Sequence, residues 1–471
     1  MNKIAQTPPM GWNSWDCYGS AVTEKEVRSN AEYMARHMAK HGWEYVVVDI
    51  LWFDPDAEDS QYTPYGDICI DEYGRVIPAE NRFPSAAGGK GFGPLADYVH
   101  SLGLKFGIHI LRGVPRKAVY ARCPVKGTDL TCRDIAHRND NCPWNTDMYG
   151  VDCMRRGAQE YYDSIFELYA AWGVDYVKVD DIASPYHSGE IELVHNAIEH
   201  CGRDIVLSLS CGPAPRDKAE HLCRFANLWR TTGDFWDDWN DLYHAFEICH
   251  EWEDVGGPGH WPDADMLPFG HLAIRATERG WGERWTHFTQ DEQITLMTLW
   301  CIFRSPLMVG AELNDNDEFT LNLLTNDEVL ALLRDGRNAR QVYREERYNY
   351  AGHRLEGRGR GRRNLLRGLQ LRPQGAGPRG AAAEHPGPAR GQVRGSRPLG
   401  ARGGARRRAR AGGRRAQPRR APHQAHPRGI EKGGKPDAMP ILRQGDGARL
   451  FAERPHGVLH DKAAAVPVLA G

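Results

Sequence analysis

The sequence predicts an α/β fold, a (β/α)8 barrel, on three observations. Short Val-rich runs that end in a carboxylate recur, first in Gly42-Trp43-Glu44-Tyr45-Val46-Val47-Val48-Asp49 and again in Gly173-Val174-Asp175-Tyr176-Val177-Lys178-Val179-Asp180. Apolar runs of this length suit strands covered on both faces, and a carboxylate at the carboxyl end is where parallel α/β folds place their chemistry. Eight such strand signals alternate with helical patterns over about three hundred residues, a count and rhythm that fit a barrel.

The elements follow in order. Met10-Gly11-Trp12-Asn13-Ser14-Trp15 comes after two prolines and ends a first strand. Thr23 and Glu26 form a capping box, Val27, Ala31, Met34 and Met38 keep helical spacing, and Gly42 closes that helix. The second strand runs to Asp49, and residues 53–93, polar and rich in Pro, Gly and Asp, predict a functional loop with a small hairpin. A helix around Leu95 to Leu102 leads to a third strand, Lys105 to Ile110, and Arg112 to Asp152 predicts a second long loop. Tyr161, Ile165, Leu168 and Trp172 mark the helix that feeds a fourth strand, Tyr176 to Asp180. Ile205 to Ser210, Leu228 to Arg230, Asp265 to Pro268 and Ile302 to Met308 are the expected fifth to eighth strands.

Composition divides the chain into a catalytic barrel, residues 1–345, and an Arg/Gly/Ala/Pro-rich tail, residues 346–471, expected to be disordered. The formal charge of −2 hides the split: residues 351–430 hold 21 Arg, no Lys and two Glu, a local +19 that leaves −21 on the remainder. No Phe, Trp or Tyr lies between Ala351 and Leu450 in a chain that is 10% aromatic, which leaves little from which to build a core. A natural Arg/Gly tail that binds RNA is one reading. The genetic code offers another. Codons for His353 to Leu371, read one base later, permit IVWKAEDEGDETYYAAFNF, which alternates like paired strands, and the same shift over Ser396 to Arg402 permits RDLWAR. We take the second reading, a coding frame that slips near Tyr348 to Gly352, so no nucleic-acid partner is expected.

The N-terminal residues lack the apolar stretch of a signal peptide, and no later run is long enough to span a membrane, so a cytoplasmic location without a membrane partner is expected. The eleven Cys, an odd number with no Cys-x-x-Cys pair, are expected as reduced and mostly buried thiols.

Lys178-Val179-Asp180 alone reads equally as a salt-bridged structural carboxylate. A second acidic cluster, Trp229-Arg230-Thr231-Thr232-Gly233-Asp234-Phe235-Trp236-Asp237-Asp238-Trp239, adds a partner amid tryptophans. Carboxylate pairs among indoles suit a sugar, whose C–H face stacks on the rings while its hydroxyls meet charged groups. Spacing does not choose among Asp234, Asp237 and Asp238. His260, Asp263 and Asp265 invite a metal, but no HExxH or Cys cluster accompanies them, so no metal and no cofactor are expected and His260 is read as a structural hydrogen-bonding residue.

From Pro9 to about Tyr343 the chain resembles glycoside hydrolase family 27, the α-galactosidases and α-N-acetylgalactosaminidases. The resemblance rests on Met10-Gly11-Trp12-Asn13-Ser14-Trp15, the Asp49 strand, Gly103-Leu104-Lys105-Phe106-Gly107-Ile108, Lys178-Val179-Asp180, Trp229-Arg230 with Asp234, Asp263-Ala264-Asp265-Met266-Leu267, and Arg304-Ser305-Pro306-Leu307-Met308. It implies a barrel followed by an antiparallel β-domain, the part that the tail has lost or scrambled. It also implies a retaining exo-glycosidase of α-galactosidase type that acts on an oligosaccharide or glycoside, with Asp180 as nucleophile and Asp234 as acid/base. In the same family pattern Lys178 and Asp49 bind ring hydroxyls, Trp15 closes the C6 side, and Arg230 and Asp265 hold the 2-OH side.

Three departures bear on the sugar. Asp49 is followed by Ile50 where many family members carry a second Asp, which favours a sugar without the C6 hydroxymethyl such as β-L-arabinopyranose. Ser210-Cys211-Gly212-Pro213 lacks the Glu that contacts the 2-OH, Gly212 leaving room but no acceptor, and His109 stands where a Tyr is common. A β-L-arabinopyranosidase and an α-N-acetylgalactosaminidase-like enzyme are therefore the alternatives, and an inactive barrel with a nucleic-acid-binding basic tail is the non-enzymatic one. Resequencing the gene from codon 340 to codon 471 should reveal a single-base slip near Tyr348 to Gly352; a verified, unshifted frame removes the frameshift reading.

Overall fold

The computed structural model describes residues 4–347, 350–358, 369–371 and 450–452. Eight parallel strands form the curled sheet of a (β/α)8 barrel: β1 (Met10–Asn13), β2 (Tyr45–Val48), β3 (Lys105–Leu111), β4 (Tyr176–Asp180), β5 (Val206–Leu209), β6 (Leu228–Arg230), β7 (Trp261–Asp263) and β8 (Leu307–Val309). The sheet order β7-β6-β5-β4-β3-β2-β1-β8 leaves one seam, between β7 and β8. Leu267 closes it with a parallel bridge to Val309, donating from its N–H to Met308 O at 2.8 Å and accepting from Gly310 N at 3.3 Å.

Six strands lie where the sequence places them, within a residue or two, and the last two are displaced. The seventh is Trp261–Asp263 rather than Asp265 to Pro268, because Asp265 adopts φ +85° and turns the chain before Leu267 reaches the seam. The eighth begins at Leu307 because Ile302 and Phe303 end the helix Gln290–Phe303, which Arg304 closes at φ +66°. An apolar run at a helix end and an apolar strand look alike in sequence.

Alternation along the strands builds two cores. Val46, Val48, Val177 and Val179 face the surrounding helices, whereas Tyr45, Val47, Tyr176, Val206, Leu228, Trp261, Met266 and Met308 fill the barrel interior. Two glycines make that interior possible. A Cβ on Gly11 would sit 2.4 Å from Tyr45 O, and one on Gly107 3.0 Å from both Tyr176 Cβ and Val47 Cγ2, so only hydrogen at these positions admits the Tyr45 and Tyr176 rings, 5.5 Å apart. Above the filled floor the next inward residue is polar on β2, β3, β4 and β6, namely Asp49, His109, Lys178 and Arg230.

The expected helix signals hold. Thr23 and Glu26 form the capping box of the helix Glu24–His37, with Thr23 N–H donating to Glu26 Oε2 at 2.8 Å, and Val27, Ala31 and Met34 are buried along it. The loop after β2 carries a single antiparallel bridge, Ile70 to Val76, and the loop after β3 carries a small antiparallel sheet of Val114–Pro115, Met148–Val151 and Ala136–His137. Both loops leave from the carboxyl ends of strands and so overhang the same mouth. All eleven Cys are free thiols, and among the described residues no helix is long and apolar enough to cross a membrane.

Beyond the barrel, Arg337–Arg347 pairs antiparallel with Tyr350–Arg358, and Leu369–Leu371 and Leu450–Ala452 extend the ladder to four strands. This hairpin spans the boundary drawn at residue 345. The remainder of the segment read as a disordered, frame-slipped tail lies outside the described residues.

Trp300 ties the closing helix to the mouth: it is fully buried, packs on Phe235 with ring centroids 5.0 Å apart, and donates from Nε1 to Asp265 O at 2.8 Å. Trp300→Ala should lower unfolding free energy by about 3–5 kcal/mol, measured by urea denaturation; a loss below ~1 kcal/mol would show that the seam does not depend on this side chain.

Candidate active site

The strand alternation that buries Tyr176 at the floor turns Lys178 and then Asp180 inward above it. The same phase brings Asp49 from the end of β2, His109 from β3 and Arg230 from β6 into one cleft of about 440 Å³. Its lining places the buried Asp49, His109 and Ile50 together with Lys178, Asp180, Arg230, Asp234, Asp265 and Trp15.

His109 lies between two carboxylates. Its Nδ1 is 2.8 Å from Asp49 Oδ1 and its Nε2 3.1 Å from Asp180 Oδ2. Neither contact lies along an aligned ring N–H direction, so both are close contacts of ring nitrogen with carboxylate oxygen more than directed hydrogen bonds. Lys178 Nζ approaches Asp49 Oδ2 at 3.5 Å. Asp49 also accepts from Asn13 Nδ2 at 2.7 Å and from Ile50 N at 2.8 Å, and Asp180 Oδ1 accepts from Asp181 N at 2.7 Å.

His109 and Lys178 thus face two carboxylates at the floor of the cleft. Burial alone would raise both acids, but His109 and Lys178 override it and hold Asp49 far below, and Asp180 below, the usual carboxylate range. Burial likewise opposes charge on His109 and Lys178, and Asp49 reverses that in each, raising both.

The opposite wall is organised by Arg230, whose guanidinium lies 2.9 Å from Asp265 Oδ2 and 3.1 Å from Asp234 Oδ1. Asp263 is pushed up to about 6 by burial and by Asp265, with Arg230 opposing, and Asp265 is itself raised chiefly by burial. The Arg230 charge does not offset burial at Asp263 and Asp265, both of which stay raised.

Geometry resolves the choice that spacing leaves open. Asp237 is buried and clamped by Arg284 at 2.6 and 3.0 Å, and it accepts from His287 N at 2.7 Å. Asp238 caps the helix Trp239–Trp252 by accepting from Asn240 N at 2.8 Å. Asp234 alone of the three lines the cleft, with a side chain 76% exposed.

Two expected site residues do not line the cleft. Cys211 Sγ turns to Ser184 O at 3.2 Å. Gly212 offers no room: a Cβ there would lie 2.0 Å from Thr232 O, because Ala214 N donates to Arg230 O at 2.9 Å and draws this segment against β6. Ser210, at the inward phase of β5, lines the cleft instead. Sequence reasoning also passed over Asp16, Tyr62, Phe235, Trp236 and Met266. Phe235, Trp236 and Met266 adjoin named residues and were recoverable from adjacency, whereas Tyr62 comes from a loop with no periodic signal.

Behind Asp180 a buried arginine fixes the backbone. Arg112 N donates to Asp180 O at 3.1 Å, and its guanidinium meets Asp181 Oδ2 at 3.0 Å, Glu190 Oε1 at 2.7 Å and Asp140 Oδ1 at 2.8 Å. Asp140, His187 and Glu190 bring ligand atoms within 4.8 Å of one another, but the Arg112 guanidinium already contacts both carboxylates, and a cation would have to compete with it. His260 contacts Ala226 O at 2.8 Å, in line with a structural role.

The chain matches the profile of the alpha galactosidase A family, Melibiase_2, over residues 7–152 and 144–335. A β-L-arabinopyranosidase of glycoside hydrolase family 27 from Geobacillus stearothermophilus is 60% identical, with a TM-score of 0.74 over 76% of this chain and 82% of that structure. A putative α-N-acetylgalactosaminidase structure from Bacillus halodurans is 56% identical, with a TM-score of 0.68 over 76% and 83% of the two chains. An α-galactosidase of Oryza sativa subsp. japonica is 29% identical over 337 residues, 71% of this chain; the chain spans 65% of that relative's length.

The charge pattern fixes a stability prediction. Asp49 and Asp180, depressed in the fold, contribute stability that is present above the unfolded carboxyl value of ~3.9 and is lost as pH falls through their folded values. His109, raised in the fold, contributes stability that is fully present below ~6.5 and is lost as pH rises through its folded value. His109→Gln should therefore cost about 3–5 kcal/mol at pH 5.5 and less at pH 9.5, by urea unfolding at both. An equal cost at both would mean that the imidazole acts through shape and not charge.

Proposed function

The chain belongs to the alpha galactosidase A family, glycoside hydrolase family 27, and on that premise we propose that it is a retaining exo-glycosidase whose preferred terminal sugar is β-L-arabinopyranose, with α-D-galactose the nearest competitor. The observation that carries the sugar choice is Ile50. Its side chain lines the cleft and is 1% exposed, beside Asp49 and where a second carboxylate would receive a hydroxyl. An apolar wall there disfavours the hydroxymethyl group that distinguishes galactopyranose from L-arabinopyranose, since that hydroxyl would lose its water without gaining a partner. The Geobacillus relative, an arabinopyranosidase at 60% identity, supports the same choice.

In the mechanism, Asp180 is ionised and aimed by its contacts to His109 and Asp181 N–H, as an attacking carboxylate needs. It attacks the anomeric carbon while Asp234 gives its proton to the glycosidic oxygen; the C–O bond breaks and a glycosyl ester on Asp180 forms. Asp234, now a carboxylate, takes a proton from water, whose oxygen attacks the same carbon and releases the sugar and Asp180. The two inversions leave the anomeric configuration as it began. Lys178 and Asp49 offer a donor and an acceptor to ring hydroxyls on the floor, and Arg230 with Asp265 does so on the opposite side. The negative charge that develops on Asp234 as it gives up its proton sits 3.1 Å from Arg230, which stabilises it.

The test is a panel of nitrophenyl β-L-arabinopyranoside, α-D-galactopyranoside and N-acetyl-α-D-galactosaminide. We expect turnover in that descending order, a first-formed sugar that keeps the substrate's anomeric configuration, and loss of at least about a thousandfold in Asp180→Ala. Silence on all three, or a fully active Asp180→Ala, would overturn the assignment. Ile50→Asp should raise the galactoside-to-arabinoside ratio of kcat/KM roughly tenfold or more, the worth of a charged hydrogen bond; an unchanged ratio would remove Ile50 as the selector.

A further inference from the structure

Aromatic rings continue outward from the cleft wall along the two long loops. Trp15 and Tyr62 line the cleft, with centroids 6.3 Å apart and planes 17° from parallel, and Tyr62 meets Trp144 at 5.2 Å. Two residues beyond Trp144, Thr146 Oγ1 accepts from Tyr65 N at 2.7 Å. The Arg116 guanidinium lies over both Tyr65 and Tyr149, at 5.6 and 4.3 Å, and Tyr149 meets Tyr120 with hydroxyls 3.0 Å apart.

Ring contacts of this kind could merely tie the loop after β2 to the loop after β3. Two members resist that account, since Tyr65 is 73% and Tyr120 is 72% exposed. Burying those rings would have served a tie better, and leaving large apolar faces in water has a cost. Arg116 holds Tyr65 through its ring and Tyr149 holds Tyr120, so the exposed faces are fixed before any ligand arrives, which lowers the entropic cost of binding one.

We propose that this ladder is the binding platform for the leaving-group side of a glycan, so that the substrate is a terminal sugar on a polysaccharide or long oligosaccharide and not only a small glycoside. This rests on the exo-glycosidase reading above. The floor formed by Asp49, Lys178 and His109 is closed below by the packed barrel interior, so a terminal sugar seated there leaves the rest of its chain only the mouth. The rings begin at that mouth. Pyranose rings present C–H faces that stack on Tyr, while the phenol hydroxyls and Arg116 reach equatorial hydroxyls.

Tyr65→Ala and Tyr120→Ala, singly and together, test this in the full chain. On whichever nitrophenyl glycoside is cleaved, kcat/KM should stay as in the parent. On an arabinogalactan that carries terminal L-arabinopyranosyl groups it should fall about tenfold in the double variant, chiefly through KM, the worth of lost ring stacking. Retardation of the parent in a native gel containing that polysaccharide should be lost in the double variant and kept in Tyr65→Phe with Tyr120→Phe. Equal effects on small and polymeric substrates with unchanged retardation would overturn the platform. Failure to cleave every nitrophenyl glycoside would count against the proposed function instead, and the gel would still decide the platform.

Discussion

The structure depends on charge balance in the buried mouth of the barrel. Asp49 and Asp180 lose their water on folding, and unpaired each would take up a proton or open the site. His109 at 2.8 and 3.1 Å and Lys178 at 3.5 Å face these two carboxylates and offset their burial. In a space of low dielectric such contacts are strong, and they keep Asp180 an anion, the form in which a carboxylate is a nucleophile. On the opposite wall the buried Arg230 meets Asp265 and Asp234, and Asp263 and Asp265 are raised by burial. The two walls of one cleft thus shift their carboxylates in opposite directions.

That balance is available only because the barrel floor is filled by other means. Tyr45 and Tyr176 occupy the interior below the site, admitted by the missing side chains of Gly11 and Gly107. With the floor apolar and full, the inward positions above it belong to Lys178, Asp180 and His109. The outward positions of the same strands, Val177 and Val179 or Phe106, Ile108 and Ile110, are apolar and packed in the outer core, so a single strand carries both stability and chemistry. The long loops after β2 and β3 then wall the mouth with Tyr62 and Trp144 and carry aromatic surface away from it.

Much of the barrel and the heart of the site were legible in the sequence, for a local reason. A strand's period of two, a capping box and a Val-rich run ending in Asp are written in neighbouring residues, and they place Asp49 and Asp180 at strand ends without reference to anything distant, whereas His109 entered only through the family resemblance. The errors have an equally physical origin. Ile302 and Phe303 are apolar for the sake of a helix, not a strand, and Asp265 to Pro268 looked extended although Asp265 turns at φ +85°. Gly212 looked like open space in a pocket, when its hydrogen is needed to lie against Thr232 O.

By itself the sequence determined the fold class and offered Asp180 and an acidic cluster as candidate partners, because each follows from local periodicity or from motifs carried whole. Only the tertiary structure decided which acid in that cluster faces the cleft, since Asp237 and Asp238 are distinguished from Asp234 by partners up to fifty positions away. Only it could show that His109 touches both Asp49 and Asp180, that Ser210 replaces Cys211 and Gly212 at the wall, and that rings from two separate loops form one surface. Contacts between residues far apart in the chain carry no periodic trace, and both the ionisation state of Asp180 and the course of the aromatic ladder are made from such contacts.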